Sequence, residues 1–334
     1  MKNMLKNCLT VILLQTLFLS ITSAQNHKLV KTFHISSSGG WDYISVNDGK
    51  IYVSHGNQVN ILDEKSGDSV GVILNTPGVH GIAFSNATNK GFTSNGRSNN
   101  VTVFDLKTNQ ELATITTSEG PDAIIYEPFT KTIITCNGKG KDLTVIDPVS
   151  NKVIATVALG ARPEEPASDG KGKVYVNLVD KNSIGVVDIK SWKVTNTWSM
   201  LPGEGPTGLK IDPKSMRLFA TCDKLLMVLD ANDGKVVTKV PIGEGTDGVA
   251  FDEKNKMIYT SNGIGNITAI KEQSPNDYAV VETIITKPRA RTIAMDEKTH
   301  AMFLPTGEFE KADPANPKAR TKMIAGSFQV LVVE

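Results

Sequence analysis

An all-β chain closed into a single seven-bladed β-propeller is predicted by three observations. A unit of about 40 residues recurs seven times from Gly40 onward. Turn signals are spaced too closely for long helices. The strand missing from the last unit is supplied at the other end of the chain.

The units open at Gly40-Trp41-Asp42-Tyr43, Gly78-Val79-His80-Gly81, Gly120-Pro121-Asp122-Ala123, Arg162-Pro163-Glu164-Glu165, Gly205-Pro206-Thr207-Gly208, Gly245-Thr246-Asp247-Gly248 and Arg289-Ala290-Arg291-Thr292. Successive openings lie 38 to 44 residues apart, too regular for unrelated loops. A short apolar strand follows each opening, such as Ile82-Ala83-Phe84 or Val249-Ala250-Phe251, and then a polar turn. Second strands carry the phrases Tyr52-Val53-Ser54-His55, Phe92-Thr93-Ser94-Asn95, Tyr175-Val176-Asn177-Leu178 and Tyr259-Thr260-Ser261-Asn262, whose aromatic and β-branched residues suit a sheet packed on both faces. Third strands are rich in branched residues and in five units close on Asp63, Asp105, Asp147, Asp188 and Asp230, short carboxylates suited to accept turn N–H groups. Fourth strands follow in six units, for example over 110–117, 152–159 and 235–242. The seventh unit ends on its third strand, 328–334. Residues 28–35, Lys-Leu-Val-Lys-Thr-Phe-His-Ile, match the fourth-strand pattern, so pairing them with the C-terminal strand closes the ring and leaves no long exposed edge.

Residues 25–334 are therefore expected to form one propeller, and a monomer is expected. Residues 1–24 have the features of a secretory signal peptide: Lys2 and Lys6 precede an apolar run from Leu9 to Ser20, and Thr22-Ser23-Ala24 offers a small-residue cleavage site. Cys8 stands at the front of that run, which does not support a lipoprotein site. Loss of Lys2 and Lys6 takes the formal charge from +1 to −1. With 40% hydrophobic and 21% charged residues, no interior stretch approaches the roughly 20 apolar residues that span a bilayer. Cys136 and Cys222 fall in non-adjacent blades, beyond the Cα separation of about 7 Å that a disulfide allows, so two free, buried thiols are expected.

The repeated Tyr/Phe-x-Ser/Thr-Asn-Gly phrase and the Gly-Pro/Thr-Asp/Thr-Gly/Ala openings resemble the YVTN-repeat, YncE-like propellers of bacterial envelopes over essentially the whole mature chain. The resemblance implies the propeller fold and a periplasmic or secreted location, and no particular activity. WD40-type Gly-His and Trp-Asp pairs are missing from the blades, and Trp41-Asp42 sits in an opening.

In a propeller, the inter-blade loops and the loops between second and third strands emerge on one face. On that face the third opening position runs Asp42, His80, Asp122, Glu164, Thr207, Asp247, Arg291, a composite polar set where a packing repeat would keep one residue type. Asp42, His80, Asp122, Glu164, Asp247, Arg291 and Asn177 are the candidate ligand-binding residues. A hydrated mouth that tolerates polar residues is the competing explanation. The adjoining His55-Gly56-Asn57, Asn95-Gly96-Arg97, Asn137-Gly138-Lys139 and Asn262-Gly263 segments should surround the ring, although Asn-Gly is also ordinary turn chemistry. Between 306 and 327 the last blade carries a long charged loop, either a lid or a plain closure segment.

Two classes of function fit these residues. A binding or interaction module would take a small molecule or an envelope macromolecule at the mouth. An envelope hydrolase or lyase, lactonase-like or acting on polysaccharides or small molecules, would use His80 with Asp122 or Glu164 as acid and base and Arg291 as anion anchor. A divalent metal could assist, with His80, Asp122 and Glu164 as the compact ligand candidates. No P-loop, nucleophile elbow or zinc signature occurs. Near-neutral charge and an acidic ring argue against nucleic acid.

Overall fold

Strands whose every residue is buried, such as Thr132–Asn137 and Met257–Asn262, demand cover on both faces. Stacking sheet against sheet around an axis provides it. The computed structural model describes residues 27–311 and 321–334, which form seven four-stranded antiparallel sheets in a ring, a β-propeller. Each blade runs from an inner strand outward. The inner strands are Trp41–Asn47, Val79–Ser85, Pro121–Glu127, Pro163–Ser168, Leu209–Asp212, Thr246–Asp252 and Ala294–Met295. Outer strands such as Lys152–Ala158 face solvent with most of their side chains. The predicted signal peptide and residues 312–320 of the long loop lie outside the described residues. Among the described residues no helix is long and apolar enough to cross a membrane.

The core is divided among the blade interfaces. Ile134, Leu143 and Val145 of blade three pack on Val174, Val176 and Val187 of blade four. At the ring closure, Phe33, Phe303, Phe328 and Val330 pack against Ile44, Ile51 and Val53 of blade one. The closing strand forms as expected, one residue shorter at each end: Leu29–His34 pairs antiparallel with Gln329–Val333, with His34 opposite Gln329. It completes blade seven from outside.

The third-strand aspartates are turn formers, as predicted. Asp105 Oδ1 accepts the N–H groups of Lys107 and Thr108 at 2.9 and 2.8 Å, and Asp63 and Asp147 repeat the arrangement. These bonds hold the Asp63 and Asp105 carboxyls below their ordinary range, and at Asp147 the Ser150 hydroxyl, donating at 2.6 Å, does so ahead of the backbone. Cys136 and Cys222 are free and buried.

The Asn that ends many second strands is a structural clamp. Asn95 Nδ2 donates to Asn100 Oδ1 and Thr102 Oγ1, both at 2.8 Å, Asn137 does the same to Asp142 and Thr144, and Asn262 to Asn266 and Thr268. All three amides are fully buried, so they do not face a ligand. In blade one His55 takes this place, stacked on Phe328 at 3.8 Å and bonded to Ser37 Oγ at 2.6 Å. In blade four Leu178 takes it and covers Gly185, which stands where the Thr would be. Asn262→Ala removes the buried amide that bonds Thr246 and Thr268, leaving each only its contact with the Gly243 backbone. It should cost about 1–3 kcal/mol in chemical denaturation, the usual penalty for orphaned buried polar groups.

Candidate functional site

Five of the seven inner strands break register at their first residues, between Trp41 and Ile44, Val79 and Ile82, Pro121 and Ile124, Pro163 and Pro166, and Thr246 and Gly248. Asp42, His80, Asp122, Glu164 and Asp247 all fall inside these irregularities. Such bulges re-aim a side chain at the rim of a sheet, and here they turn the third opening position toward the axis.

The backbone around the mouth is stitched from blade to blade. Ser94 Oγ accepts Gly81 N–H at 2.9 Å and donates to the Asp122 carbonyl of the next blade. Ser261 Oγ donates to the Arg291 carbonyl at 2.5 Å, and Thr292 Oγ1 donates to the Asp42 carbonyl at 2.7 Å. Asn177 is aligned with these serines. Its Nδ2 donates to the carbonyls of Thr207 and Gly208 at 2.8 and 3.0 Å, so this residue positions the mouth and is not a ligand contact. Its expected place in the binding set is thereby corrected. The fourth opening position lies so close to the next blade that a Cβ on Gly81 would stand 2.8 Å from Ile124 Cγ2, which explains the Gly or Ala found there in several blades.

The mouth is an open cavity of about 620 Å³ lined by Trp41, Asp42, His80, Arg97, Asp122, Lys139, Arg162 and Arg291. A chain of ion pairs runs along its floor. Arg291 Nε meets Asp247 at 3.1 Å and its Nη2 meets Asp42 at 3.5 Å. Asp42 Oδ2 in turn accepts His80 Nδ1–H at 2.6 Å, and Asp122 Oδ1 lies 3.6 Å from the same nitrogen. Glu164 sits below the cavity wall, 8% exposed, held by Arg162 Nη2 at 3.2 Å and by the Tyr43 hydroxyl, which reaches it from blade one at 3.5 Å. Tyr43 therefore crosses the channel beneath the mouth. Elsewhere along the inner strands lies a mainly apolar space of about 560 Å³ among Ala83, Ile125, Val249 and Phe251, with the Lys210–Glu165 pair in its wall.

Crowding of carboxylates away from water sets their protonation. Burial first, then the Asp122 charge, pushes Glu164 up to about 8 against the pull of Arg162. Burial pushes Asp122 up to about 6, with His80 opposing, and burial raises Asp247 against Arg291. For His80, burial opposes the charged form but is outweighed by the Asp42 hydrogen bond and the Asp122 charge, so the imidazole is held above its ordinary range. Burial keeps the Tyr43 phenol neutral, and the nearby Asp122 and Glu164 add to this.

Two placements differ from the sequence reading. The compact set able to offer metal-ligand atoms is Asp42, His80 and Asp122, all within 4.8 Å of one another, and not His80, Asp122 and Glu164. Blade two lies between blades one and three, so His80 has Asp42 and Asp122 as neighbours, whereas Glu164 is two blades away. The proposed acid, base and anchor do not converge: Arg291 is taken up by Asp42 and Asp247, and Glu164 by Arg162 and Tyr43. Trp41 is packed between Phe309 and Phe328, at 6.0 and 5.4 Å between ring centroids. Phe309 and the Phe309–Met323 bridge form the described base of the long loop, with Arg289 lying 3.8 Å over the Phe309 ring.

Arg162 and Tyr43 were missed as site residues. Arg162 was visible as the opening residue that replaces Gly in blade four; Tyr43 had no signal beyond being a large side chain where Gly or Ala recurs. Elsewhere, a larger open depression of about 890 Å³ on the opposite face is lined by turn residues such as Asp48, Asn86 and Asp296. Asp296 is already occupied by the N–H groups of Lys298 and Thr299.

No protein-family model matches the chain, and no curated protein matches it. Among solved structures it is similar to Kuenenia stuttgartiensis hydrazine synthase, with a TM-score of 0.71 at 15% identity, over 88% of this chain and 98% of that one. At that identity the likeness shows a shared β-propeller fold.

Proposed function

We propose that the chain is an exported binding module of the YVTN-repeat, YncE-like kind, periplasmic or secreted, that takes a small molecule or part of an envelope macromolecule at the channel mouth. One observation carries this proposal: bulged inner strands of five blades turn different polar side chains toward the mouth, where Asp42, His80 and Asp122 line one cavity, while Asp122 and the more deeply set Glu164 bind their protons more tightly than usual. A repeat that served only packing would place equivalent residues there, and buried carboxylates with raised affinity for protons cost stability that a ligand can offset. The cavity volume falls in the range of small-molecule sites, about 300–1,000 Å³.

A second proposal, an envelope hydrolase or lyase, is favoured by Glu164 alone. A carboxylic acid held near neutrality is suited to donate a proton. In that case Asp42, His80 and Asp122 would hold any divalent metal, which would supply Lewis-acid activation. The 2.6 Å His80–Asp42 contact is that of a charge-assisted hydrogen bond, so metal entry would first displace that proton.

The chain from Gln25 and its Glu164→Ala variant, taken through a thermal-shift panel of divalent metals, sugar acids, lactones, peptides and short oligonucleotides, test both. A ligand at about 100 times its dissociation constant should add roughly 2.7 kcal/mol of stability to the wild type, with a smaller gain in the variant. A ligand that stabilises both chains equally would place binding elsewhere.

A further inference from the structure

Arg97, Lys139 and Arg162 occupy one arc of the mouth, in consecutive blades, and each is seated on a glycine. The Arg97 stem lies over Gly78, where a Cβ would come within 2.7 Å of Cγ. The Lys139 stem lies over Gly120 at 3.2 Å, and Arg162 Nε stands 4.0 Å from the Cβ position of Gly138. Two of these cations, Arg97 and Lys139, make no ion pair among the described residues, and Arg97 touches only the neutral Asn57 amide at 3.4 Å. Arg162 meets one carboxyl, Glu164 at 3.2 Å, which burial and the Asp122 charge push up to about 8.

The floor beside this arc is different. His80 gives Nδ1 to Asp42, while its Nε2 makes no hydrogen bond among the described residues; Nε2 points toward Gly96, where an added Cβ would come within 2.7 Å. The Asp122 carboxylate makes no hydrogen bond either, and its Oδ1 is buried. Free acceptors and donors this close together match hydroxyl groups, which both give and take a hydrogen bond. Asp42 and Asp122 would repel a second anionic group, which limits the ligand to one anionic end and disfavours a polyanion.

We propose that the mouth takes a small polyhydroxylated compound with one anionic group, a sugar acid or a sugar monophosphate, its anion seated by Arg97, Lys139 and Arg162 and its hydroxyls by His80 and Asp122. This rests on the mouth being the ligand site, and it adds the ligand's chemical class. Arg97 and Arg162 can hold either anion in two-pronged fashion, with Lys139 as a point charge.

Calorimetric titration of the chain from Gln25 at low ionic strength, with glucuronate, galacturonate, gluconate, glucose 6-phosphate, glucose and inorganic phosphate, tests the class. At least one charged sugar should bind about tenfold or more tightly than glucose and than inorganic phosphate. Whether the carboxylates or the phosphate ester prevails identifies the anion. The Arg97→Gln/Lys139→Gln double variant should lose the preference for charge over neutral sugar while keeping its melting temperature, since both side chains are exposed. Asp122→Asn should weaken charged and neutral sugars alike. Glucose binding as tightly as the charged sugars, or a preference that survives in the double variant, would overturn the anion seat while leaving the mouth as a site. Failure of all six compounds to bind, alongside a mouth-dependent hit of another kind in the thermal-shift panel, would overturn the class alone.

Discussion

Phe328→Ala should destabilise the chain by about 3–5 kcal/mol, the largest single-residue effect expected here. The side chain is fully buried where the two ends of the chain meet, stacked on His55 of blade one and packed beside Trp41. Its carbonyl also accepts the Ile35 N–H at 2.9 Å, so it stands at the seam between the C-terminal strand and the closing strand. Truncation leaves a cavity between two rigid sheets, those of blades seven and one, that cannot collapse without moving the seam. Chemical denaturation compares it directly with Phe129→Ala, an exposed phenylalanine in a turn on the opposite face, which should change stability by less than about 0.5 kcal/mol. Equal effects would show that the ring is not closed in this way.

Stability should fall as pH rises from about 5 to 9, opposite to the common dependence on carboxylates that are paired in the folded state. The sign follows from the mouth. Glu164, Asp122 and Asp247 bind their protons more tightly when folded than when unfolded, and so does His80. Groups raised in this way contribute stability that is fully present below their unfolded pKa and is lost as pH rises through the folded one. For Glu164 that window runs from 4.5 to about 8. The turn aspartates Asp63, Asp105 and Asp147 act in the other direction, and their contribution disappears only as pH falls below the usual 3.8. The optimum is thus expected on the acid side of neutrality, between roughly pH 4 and 6. Glu164→Gln removes the largest of these ionisations. It should flatten the dependence and be more stable than wild type at pH 9 by about 1–3 kcal/mol, the cost of a buried charge without full compensation. Thermal melts at pH 5.5 and pH 9 on both chains measure this; parallel profiles would mean that Glu164 ionises without penalty.

The fold was readable because each blade repeats its turn chemistry and its alternation, and because the 28–35 segment repeats a pattern whose partner is missing at 328–334. The mouth was readable only in part. Counting to the third opening position found Asp42, His80, Asp122, Glu164, Asp247 and Arg291, since a repeat fixes which positions share a rim. It could not show which of them meet, because that depends on blade order around the circle and on bulges that leave no residue-type signature. Asn177 looked like a member of a polar rim, yet a single register step separates a clamp asparagine from a serine-like stitch, and both point into protein. Tyr43 lay outside any such count, since its role depends on reaching across the channel to blade four.

The central claim, that ligand is taken at the mouth, is tested most directly through the histidines. The chain has five, and His80 alone lines this cavity, while His55 is buried against Phe328 and His27 is sealed between Glu282 and Tyr259. Nitrogen-labelled histidine spectra should be recorded while titrating whichever compound most stabilises the protein. The His80 imidazole signals should shift and saturate with the dissociation constant found from stability, and the other four should stay in place. A stabilising compound that leaves His80 unmoved would contradict the claim.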